Sequence, residues 1–181
     1  MDATSKFKDK LPTTPETLLT LLDRLQIAYM IHRHPPLRTV DDSKAYRHNM
    51  PGLHIKNLYL RDRKKQNFLL VAEEDRQIDM KSLHQKIGCE RLSFGSAERL
   101  FEMLGVLPGA VSPLTLINDT NHKVHLALDI ALRTNETVYA HPLVNDMTLG
   151  IEGSQLQQFF AHTGHEVQWL DPLSIECQGW L

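Results

Sequence analysis

Cysteine is scarce in this sequence, which has 181 residues and two cysteines, Cys89 and Cys177. Two thiols are too few for a disulfide framework, and their separation matches no zinc-binding spacing. A nucleophilic thiol needs a cationic neighbour that lowers its pKa, whereas Cys89 precedes Glu90 and Cys177 lies in the C-terminal tail. The sequence therefore predicts no disulfide-rich domain and no cysteine nucleophile.

Long apolar runs and a large net charge are absent as well. No apolar run approaches the roughly 18 residues that a transmembrane helix needs, and the first ten residues lack the apolar stretch of a secretory signal. Lys and Arg number 20 and Asp and Glu number 22, so the formal net charge is −2. This balance disfavours a polyanion-coated surface but allows one local phosphate site. We expect a cytosolic protein that does not enter a membrane.

Length and composition are those of a single globular domain. Hydrophobic residues make up 41% of the chain and charged residues 23%, as in ordinary soluble proteins. Residues 1–14 are polar and have no periodic pattern, so we expect a mobile lead-in there. One domain should follow over residues 15–172, with a C-terminal tail over residues 173–181.

Short strand and helix patterns predict an α+β fold. Helices should begin at Pro15 with Thr14 as the N-cap, at Ser96 and at Ser154. Further helices are expected near residues 41–48 and 79–87. Strands are expected at residues 27–31, 57–60, 68–71, 91–94, 114–117, 124–128, 138–140, 147–151 and 166–170. The strands at 57–60 and 68–71, and those at 114–117 and 124–128, should form hairpins, which favours α+β over strict βαβ alternation.

Ten histidines invite a search for a metal site. The close pairs are His32 with His34, His122 with His125, and His162 with His165. None has the His-Glu-x-x-His arrangement that places two ligands and a base on one helix face. We expect no metal and no other cofactor.

Three segments combine polar side chains with an unusual backbone. Lys56 follows the Pro51-Gly52 turn in an apolar stretch, where a lysine is either a surface residue or a point charge aimed at a phosphate or carboxylate. Residues 105–113 hold two glycines and two prolines, which fix the backbone and leave its polar groups free for a ligand. His141 ends a predicted strand and Asn145 follows it. Each segment alone is more often structural, but together they indicate a site.

Six motifs in order carry a resemblance to a known family. They are His34-Pro35-Pro36 with Thr39-Val40, Lys56 to Leu60, Arg91 to Phe94, Gly109 to Pro113, Leu116 to Asp119, and His141 to Asn145. From about Pro15 to Leu170 the chain resembles the family related to the editing insertion domain of bacterial prolyl-tRNA synthetase. It is similar above all to the free-standing prolyl-tRNA editing proteins that deacylate Ala-tRNA(Pro), and more distantly to YbaK-type deacylases.

The resemblance implies a compact α+β fold with a mixed, partly closed sheet. It also implies hydrolysis of the ester that joins a wrong amino acid to the terminal adenosine of tRNA(Pro). The implied catalytic residues are Lys56, Gly109, Ser112, Pro113 and His141, and the implied substrate-binding residues are Asn57, Ala110, Val111, Leu114, Leu116, Asn145 and Thr148. The implied partners are the acceptor end of tRNA(Pro) and, as a further candidate, prolyl-tRNA synthetase.

An aminoacyl ester is already activated, so this chemistry needs a placed water and a stabilised oxyanion more than a strong nucleophile. We expect N–H groups of the Gly109–Pro113 loop to polarise the carbonyl. Lys56 should anchor the terminal phosphate, and His141 should orient the substrate or the water. The candidate walls of the acyl pocket are Leu114, Leu116 and Met147.

One motif departs from the family pattern. Relatives tend to have Asn-Thr-Ala-Thr where this chain has Asn145-Asp146-Met147-Thr148, and we expect Asp146 and Met147 to affect the size of the pocket. A deacylase of Cys- or Ser-linked tRNA therefore stays open beside one for Ala-tRNA(Pro). A catalytically silent module that binds tRNA or a synthetase is a third reading, although retention of Lys56, the loop and His141 favours activity.

The most basic stretch of the chain follows Lys56 along the same predicted hairpin. Its cations are Arg61, Arg63, Lys64 and Lys65, opposed by Asp62 alone. The stretch is either a solvated hairpin turn or a contact with the tRNA acceptor stem. A contact of this kind should weaken with salt by about one log-log unit per phosphate.

Overall fold

Helices are interspersed among runs of strands along the chain. The structure, a computed structural model, describes residues 3–37, 46 and 49–171. Its helices are α1 (Pro15–Arg24), α2 (Leu83–Ile87), α3 (Ala97–Leu104) and α4 (Gly153–Thr163). Its strands are β1 (Tyr29–Arg33), β2 (Leu53–Arg61), β3 (Asn67–Glu73), β4 (Ser93–Phe94), β5 (Val124–Asp129), β6 (Thr137–Ala140), β7 (Met147–Glu152) and β8 (Val167–Leu170). None of these described helices has the length and hydropathy to cross a membrane.

The strands form one mixed sheet. They pair in the order β1-β7-β6-β2-β3-β5-β8, and β4 pairs with β2 outside this path. The pairs β2–β6, β3–β5 and β5–β8 are parallel, and the other pairs are antiparallel. The predicted α+β class, with a mixed sheet and helices in one domain, is confirmed.

The predicted cap residues lie at the helix ends. Thr14 Oγ1 accepts the N–H of Thr17 at 3.3 Å in front of α1, and Ser96 Oγ accepts the N–H of Arg99 at 3.2 Å in front of α3. These bonds satisfy N–H groups that have no partner inside the helix. α2, α3 and α4 each end at a glycine, as the sequence indicates.

One predicted hairpin is wrong. Residues 114–117 are not a strand, because Pro113–Asn118 forms a 3-10 helix. Ser112 Oγ accepts the N–H of Leu114 at 3.2 Å, and Pro113 has no N–H to leave unpaired, so both residues favour the start of a helix. β5 instead pairs in parallel with β3 and β8.

Other predictions shift in extent. The strand predicted at residues 27–31 lies at Tyr29–Arg33, and the helix predicted at residues 79–87 shortens to Leu83–Ile87. The helix predicted at residues 41–48 lies outside the described residues apart from residue 46, and so does the tail at residues 173–181.

The N-terminal segment packs against the domain, where we expected a mobile lead-in. Residues Ser5–Lys10 form a 3-10 helix, and Ala3 and Thr4 are buried. Ala3 O accepts the N–H of Asn145 at 2.9 Å. From residue 3 onward, this segment is therefore part of the folded body.

The two faces of the sheet carry separate apolar clusters. The larger includes Leu22 of α1, Leu69 of β3 and Phe159 of α4, and the smaller includes Leu60 of β2 and Leu83 of α2. Because side chains alternate along a strand, successive residues of β2 point toward different clusters.

A buried carboxylate ties the end of α4 to the start of β5. Asp119 Oδ2 lies 3.2 Å from His165 Nε2, and the carboxylate accepts the N–H groups of Lys123 and Val124 at 2.9 and 2.8 Å. Burial alone would raise the pKa of Asp119, but these hydrogen bonds outweigh it and leave the pKa lowered. The ionised carboxylate therefore stabilises the fold.

We predict that Asp119→Ala lowers the free energy of unfolding by about 2–4 kcal/mol at neutral pH, because buried donors lose their partner. The folded-state pKa is depressed, so this stabilisation is present above the unfolded pKa and is lost as the pH falls through the folded pKa. Urea titrations should show the difference between wild type and variant shrinking as the pH falls below 3.8, the ordinary pKa of an aspartate. A difference that grows on acidification would contradict this.

Candidate active site

The parallel pair of β2 and β6 brings Lys56 and His141 to the same level of the sheet. His54 is opposite Tyr139 in this pair. Lys56 lies two residues beyond His54 and His141 lies two residues beyond Tyr139, along strands that run in the same direction. At about 3.3 Å per residue, each lies about 7 Å along the chain from that paired position. Two predicted catalytic residues thus lie where β6 ends.

The ring of His141 is oriented by the backbone. Its Nδ1 lies 2.8 Å from the carbonyl oxygen of Met147. A carbonyl can only accept, so the proton sits on Nδ1 and the neutral ring carries its lone pair on Nε2. Among the described residues, Nε2 has no hydrogen-bond partner. His141 therefore presents an acceptor to a bound molecule.

Burial sets the charge of this ring. Loss of water lowers the pKa of His141 from its ordinary 6.5, and the neighbouring His34 lowers it further. The Met147 carbonyl and the Asp146 carboxylate oppose this shift without cancelling it. His141 is therefore neutral at pH 7, and its Nε2 accepts rather than donates.

His34 forms a polar cluster with His141 and Thr148, although the sequence analysis assigns His34 no role. Its ring centroid lies 6.0 Å from that of His141. Its Nδ1 donates to Pro35 O at 2.8 Å, so its Nε2 accepts the hydroxyl proton of Thr148, also at 2.8 Å. Thr148 Oγ1 lies 3.4 Å from His141 Nδ1. Thr148, expected to bind substrate, thus links the two imidazoles.

The glycine at the start of the Gly109–Pro113 loop approaches Asn145 closely. Gly109 has φ +93°, and a Cβ there would lie 3.3 Å from Asn145 Nδ2. A residue with a side chain would meet both backbone strain and this neighbour. Glycine therefore allows the turn and the contact together.

Most N–H groups of this loop are free of internal bonds. Ala110 donates its N–H to Leu107 O at 3.1 Å. The N–H groups of Gly109, Val111 and Ser112 have no partner among the described residues. Preorganised N–H groups are the donors that stabilise a developing oxyanion.

Two amide oxygens at predicted substrate-binding residues are buried and have no partner within the described part of the chain, Oδ1 of Asn57 and Oδ1 of Asn145. The backbone of Asn145 is fixed on both sides, since its N–H donates to Ala3 O at 2.9 Å and its carbonyl accepts the N–H of Leu37 at 2.8 Å. An unsatisfied buried polar group costs about 1–3 kcal/mol. Donors on a bound substrate could satisfy these acceptors.

Ser112 holds the loop to the strand end that carries His141. Its side chain is fully buried. Its Oγ donates to the carbonyl oxygen of His141 at 2.6 Å and accepts the N–H of Leu114 at 3.2 Å. A hydroxyl proton bonded to a carbonyl has no base to remove it, so the geometry gives Ser112 a structural role.

The predicted wall residues lie in the core. Leu114, Leu116 and Met147 pack in the larger cluster together with Ala110. Pro113 is buried as well, while Val111 is half-buried and packs against the cluster. These residues give the loop a close-packed base.

The side chain of Asp146 is bound to the N-terminal segment. Its carboxylate accepts the N–H and the hydroxyl of Ser5. Met147 packs in the larger cluster, and the expectation that these two departing residues affect the size of the pocket stays a prediction.

Lys56 is half-buried and lies on the same face of β2 as Leu60. Its Nζ donates to the carbonyl oxygen of Arg76. The Arg76 guanidinium in turn pairs with Asp129, Nε to Oδ2 at 2.7 Å and Nη2 to Oδ1 at 2.9 Å. An ammonium has three N–H donors, and two of those of Lys56 have no partner within the described part of the chain, so they are available to an anion. Asn57 points to the opposite face, so the structure does not bring these neighbours to one side of the sheet.

The basic stretch lies at the far end of β2. Arg61 is five residues beyond Lys56, or about 17 Å along the strand. Lys64 pairs with Glu90 at 3.3 Å, and Arg63 and Lys65 lie in the same turn. The structure does not bring this stretch into the cluster around His141.

The side chains of the cluster do not resemble a metal centre. No group of three or more His, Cys, Asp or Glu residues placed to hold a metal ion occurs within residues 3–37, 46 and 49–171.

Known proteins are similar to this chain in sequence and in fold. A family model described as the aminoacyl-tRNA editing domain matches residues 34–159. The prolyl-tRNA editing protein ProX of Acetoanaerobium sticklandii is 34% identical over 151 residues, 83% of this chain and 92% of that protein. The prolyl-tRNA synthetase associated domain-containing protein 1 of Mus musculus is 33% identical over 150 residues, 80% of this chain and 88% of that protein. A crystal structure of a proposed trans-editing enzyme for prolyl tRNA synthetase has a TM-score of 0.64 at 19% identity, covers 87% of this chain and 96% of that chain, and shows the shared fold.

Gly109 and Gly88 form a matched pair for testing the Asn145 contact. Gly88 has φ +80° with nothing within 4 Å of an added Cβ. We predict that Gly88→Ala lowers the free energy of unfolding by about 1 kcal/mol from backbone strain alone. Gly109→Ala should lower it by about 2–3 kcal/mol, because its Cβ also crowds Asn145. Equal losses in chemical denaturation would contradict a close contact between Gly109 and Asn145.

Proposed function

Because this chain belongs to the aminoacyl-tRNA editing domain family, we propose that it is a trans-editing hydrolase that deacylates mischarged tRNA(Pro). The name of the relative ProX supports this substrate class. Alanine is the amino acid that the site should remove. The proline pocket of a synthetase discriminates against a smaller side chain by only about 1–3 kcal/mol, so alanine is attached to tRNA(Pro) by mistake. The acceptor end of tRNA(Pro) would be the partner, and prolyl-tRNA synthetase is a candidate source of the substrate.

The observation that carries the proposal is a neutral imidazole in a site whose loop N–H groups have no partner among the described residues. The Nε2 lone pair of His141 likewise has no partner there, and Ser112 joins the His141 carbonyl to the Gly109–Pro113 loop. This arrangement can polarise an ester and place a water, which suffices for an activated acyl group.

The proposed reaction is attack of water on the ester carbonyl carbon. N–H groups of the Gly109–Pro113 loop stabilise the oxyanion that forms. The bond from the carbonyl carbon to the ribose oxygen then breaks, the leaving oxygen takes the proton that the attacking water loses, and free amino acid and tRNA(Pro) are released. His141 Nε2 orients the attacking water, or a ribose hydroxyl, by accepting its hydrogen bond.

Two further groups would bind the substrate without reacting. Asn145 Oδ1, which has no partner among the described residues, can accept a hydrogen bond from the α-ammonium group. Lys56 can anchor the terminal phosphate with the donors that Arg76 leaves free. Arg61, Arg63, Lys64 and Lys65 could contact the acceptor stem only at a distance from the ester, since they follow β2 away from it.

We predict that the purified chain hydrolyses Ala-tRNA(Pro) much faster than Pro-tRNA(Pro). Lys56→Ala should lower kcat/KM by about 10²–10³-fold, mostly through KM, if Lys56 binds a phosphate. Lys81→Ala, at an exposed lysine outside the site, is the matched control and should leave both constants unchanged. The measurement is release of labelled amino acid from tRNA(Pro).

Parallel assays with Cys- and Ser-charged tRNA(Pro) separate the other readings. Faster hydrolysis of either would replace alanine as the substrate. If none of these esters is hydrolysed, a catalytically silent module that binds tRNA or a synthetase is favoured. If Lys56→Ala and Lys81→Ala have equal effects on kcat/KM, Lys56 is not part of the site.

The pH dependence follows from the lowered pKa of His141. The neutral ring is the active form, so activity should persist as the pH falls below the ordinary 6.5 and decline only near the lower pKa. We predict a flat kcat/KM through pH 6.5 after subtraction of spontaneous hydrolysis. An acid limb centred at or above 6.5 would contradict a buried neutral imidazole.

A further inference from the structure

The N-terminal segment contacts Asn145, whose side-chain amide is a candidate substrate-binding group, and the next residue, Asp146. The Asp146 carboxylate accepts the N–H of Ser5 at 3.1 Å through each oxygen, and it accepts the Ser5 hydroxyl at 2.6 Å. One residue earlier, the N–H of Asn145 donates to Ala3 O at 2.9 Å. Ala3 and Thr4 are buried between these contacts. The segment is therefore fastened to the Asn145-Asp146 pair by both side chain and backbone.

The same pair also holds the segment that follows β1. Asn145 O accepts the N–H of Leu37 at 2.8 Å, and Asp146 O accepts the N–H of His34 at 3.2 Å. The N–H and the carbonyl of Asn145 are thus both hydrogen-bonded, one to the N-terminal segment and one to the segment after β1. Its amide side chain remains, with Nδ2 beside Gly109 and with Oδ1 unsatisfied among the described residues.

This arrangement couples the N-terminal segment to the position of one side chain. Charge-assisted hydrogen bonds to a carboxylate are stronger and shorter than neutral ones. The Asp146–Ser5 contact therefore resists displacement of residues 145 and 146 from the N-terminal segment. Without it, the Asn145 backbone would keep a single neutral bond to the N-terminal segment.

We propose that residues 3–5, fastened by Asp146, are a positioning element that holds Asn145 against Gly109 and so sets the width of the acyl pocket. The inference rests on the proposed function, because width matters only if an amino acid is bound there. Asp146 and Ser5 are positioning residues that do not touch the substrate. A held Asn145 excludes acyl groups larger than alanine, and a released one admits them.

The test compares Ala-tRNA(Pro) and Pro-tRNA(Pro) as substrates of one preparation of Asp146→Ala. We expect the ratio of their kcat/KM values to fall about tenfold from the wild-type ratio, which corresponds to about 1.4 kcal/mol. Both substrates meet the same folded fraction, so a variant that merely folds less well would lose both rates equally and keep the ratio. Asp146→Asn keeps one oxygen for Ser5 and should retain most of the selectivity. Asp9→Ala, at an exposed acid of the same segment, should retain all of it.

Amide hydrogen exchange provides a second readout that needs no activity. In Asp146→Ala, the amides of Leu37 and Asn145 should exchange faster, while those of β3 should not change. An unchanged substrate ratio in an active variant, or unchanged exchange at both amides, would overturn the proposal. An inactive wild-type chain would instead remove the proposed function and with it the role in selectivity.

Discussion

The carbonyl of Met147 keeps a proton on Nδ1 of His141, and the site is arranged around the lone pair that this leaves on Nε2. Burial supports the same state by lowering the pKa of the ring. A charged imidazole could only donate hydrogen bonds, and it could not accept one from an attacking water. The hydrogen bond to a backbone carbonyl thus decides what chemistry the site can perform.

Segments that are distant in the sequence meet at this ring. His141 follows β6 and lies at the same level of the sheet as Lys56 on β2. Met147 and Thr148 lie on β7, which pairs with β1. Ser112 ties the glycine loop to the carbonyl of His141. Because these contacts attach the site to strands of the sheet, it shares the rigidity of the core below it.

The features that the sequence predicted correctly are local ones. Thr14 and Ser96 cap helices through bonds to residues three positions away, so a short pattern suffices to find them. The strand predicted at residues 114–117 failed because buried apolar residues occur in strands and 3-10 helices alike, and the Ser112 hydroxyl decided between them.

The site was only partly predictable for the same reason. The roles of Lys56, the Gly109–Pro113 loop and His141 came from resemblance to a family, not from spacing. The contacts of His34 with Thr148 and of Ser5 with Asp146 span 114 and 141 residues, and no local pattern reveals such pairings. Strand alternation also separated Lys56 from Asn57, which the motif alone had grouped together.

The most direct test of the account is the protonation state of His141, read by ¹⁵N NMR of histidine-labelled protein with His141→Gln to assign the signals. The account predicts a neutral ring at pH 7 with the proton on Nδ1, a bare Nε2, and a titration midpoint below 6.5. A proton on Nε2, or a midpoint at or above 6.5, would contradict it.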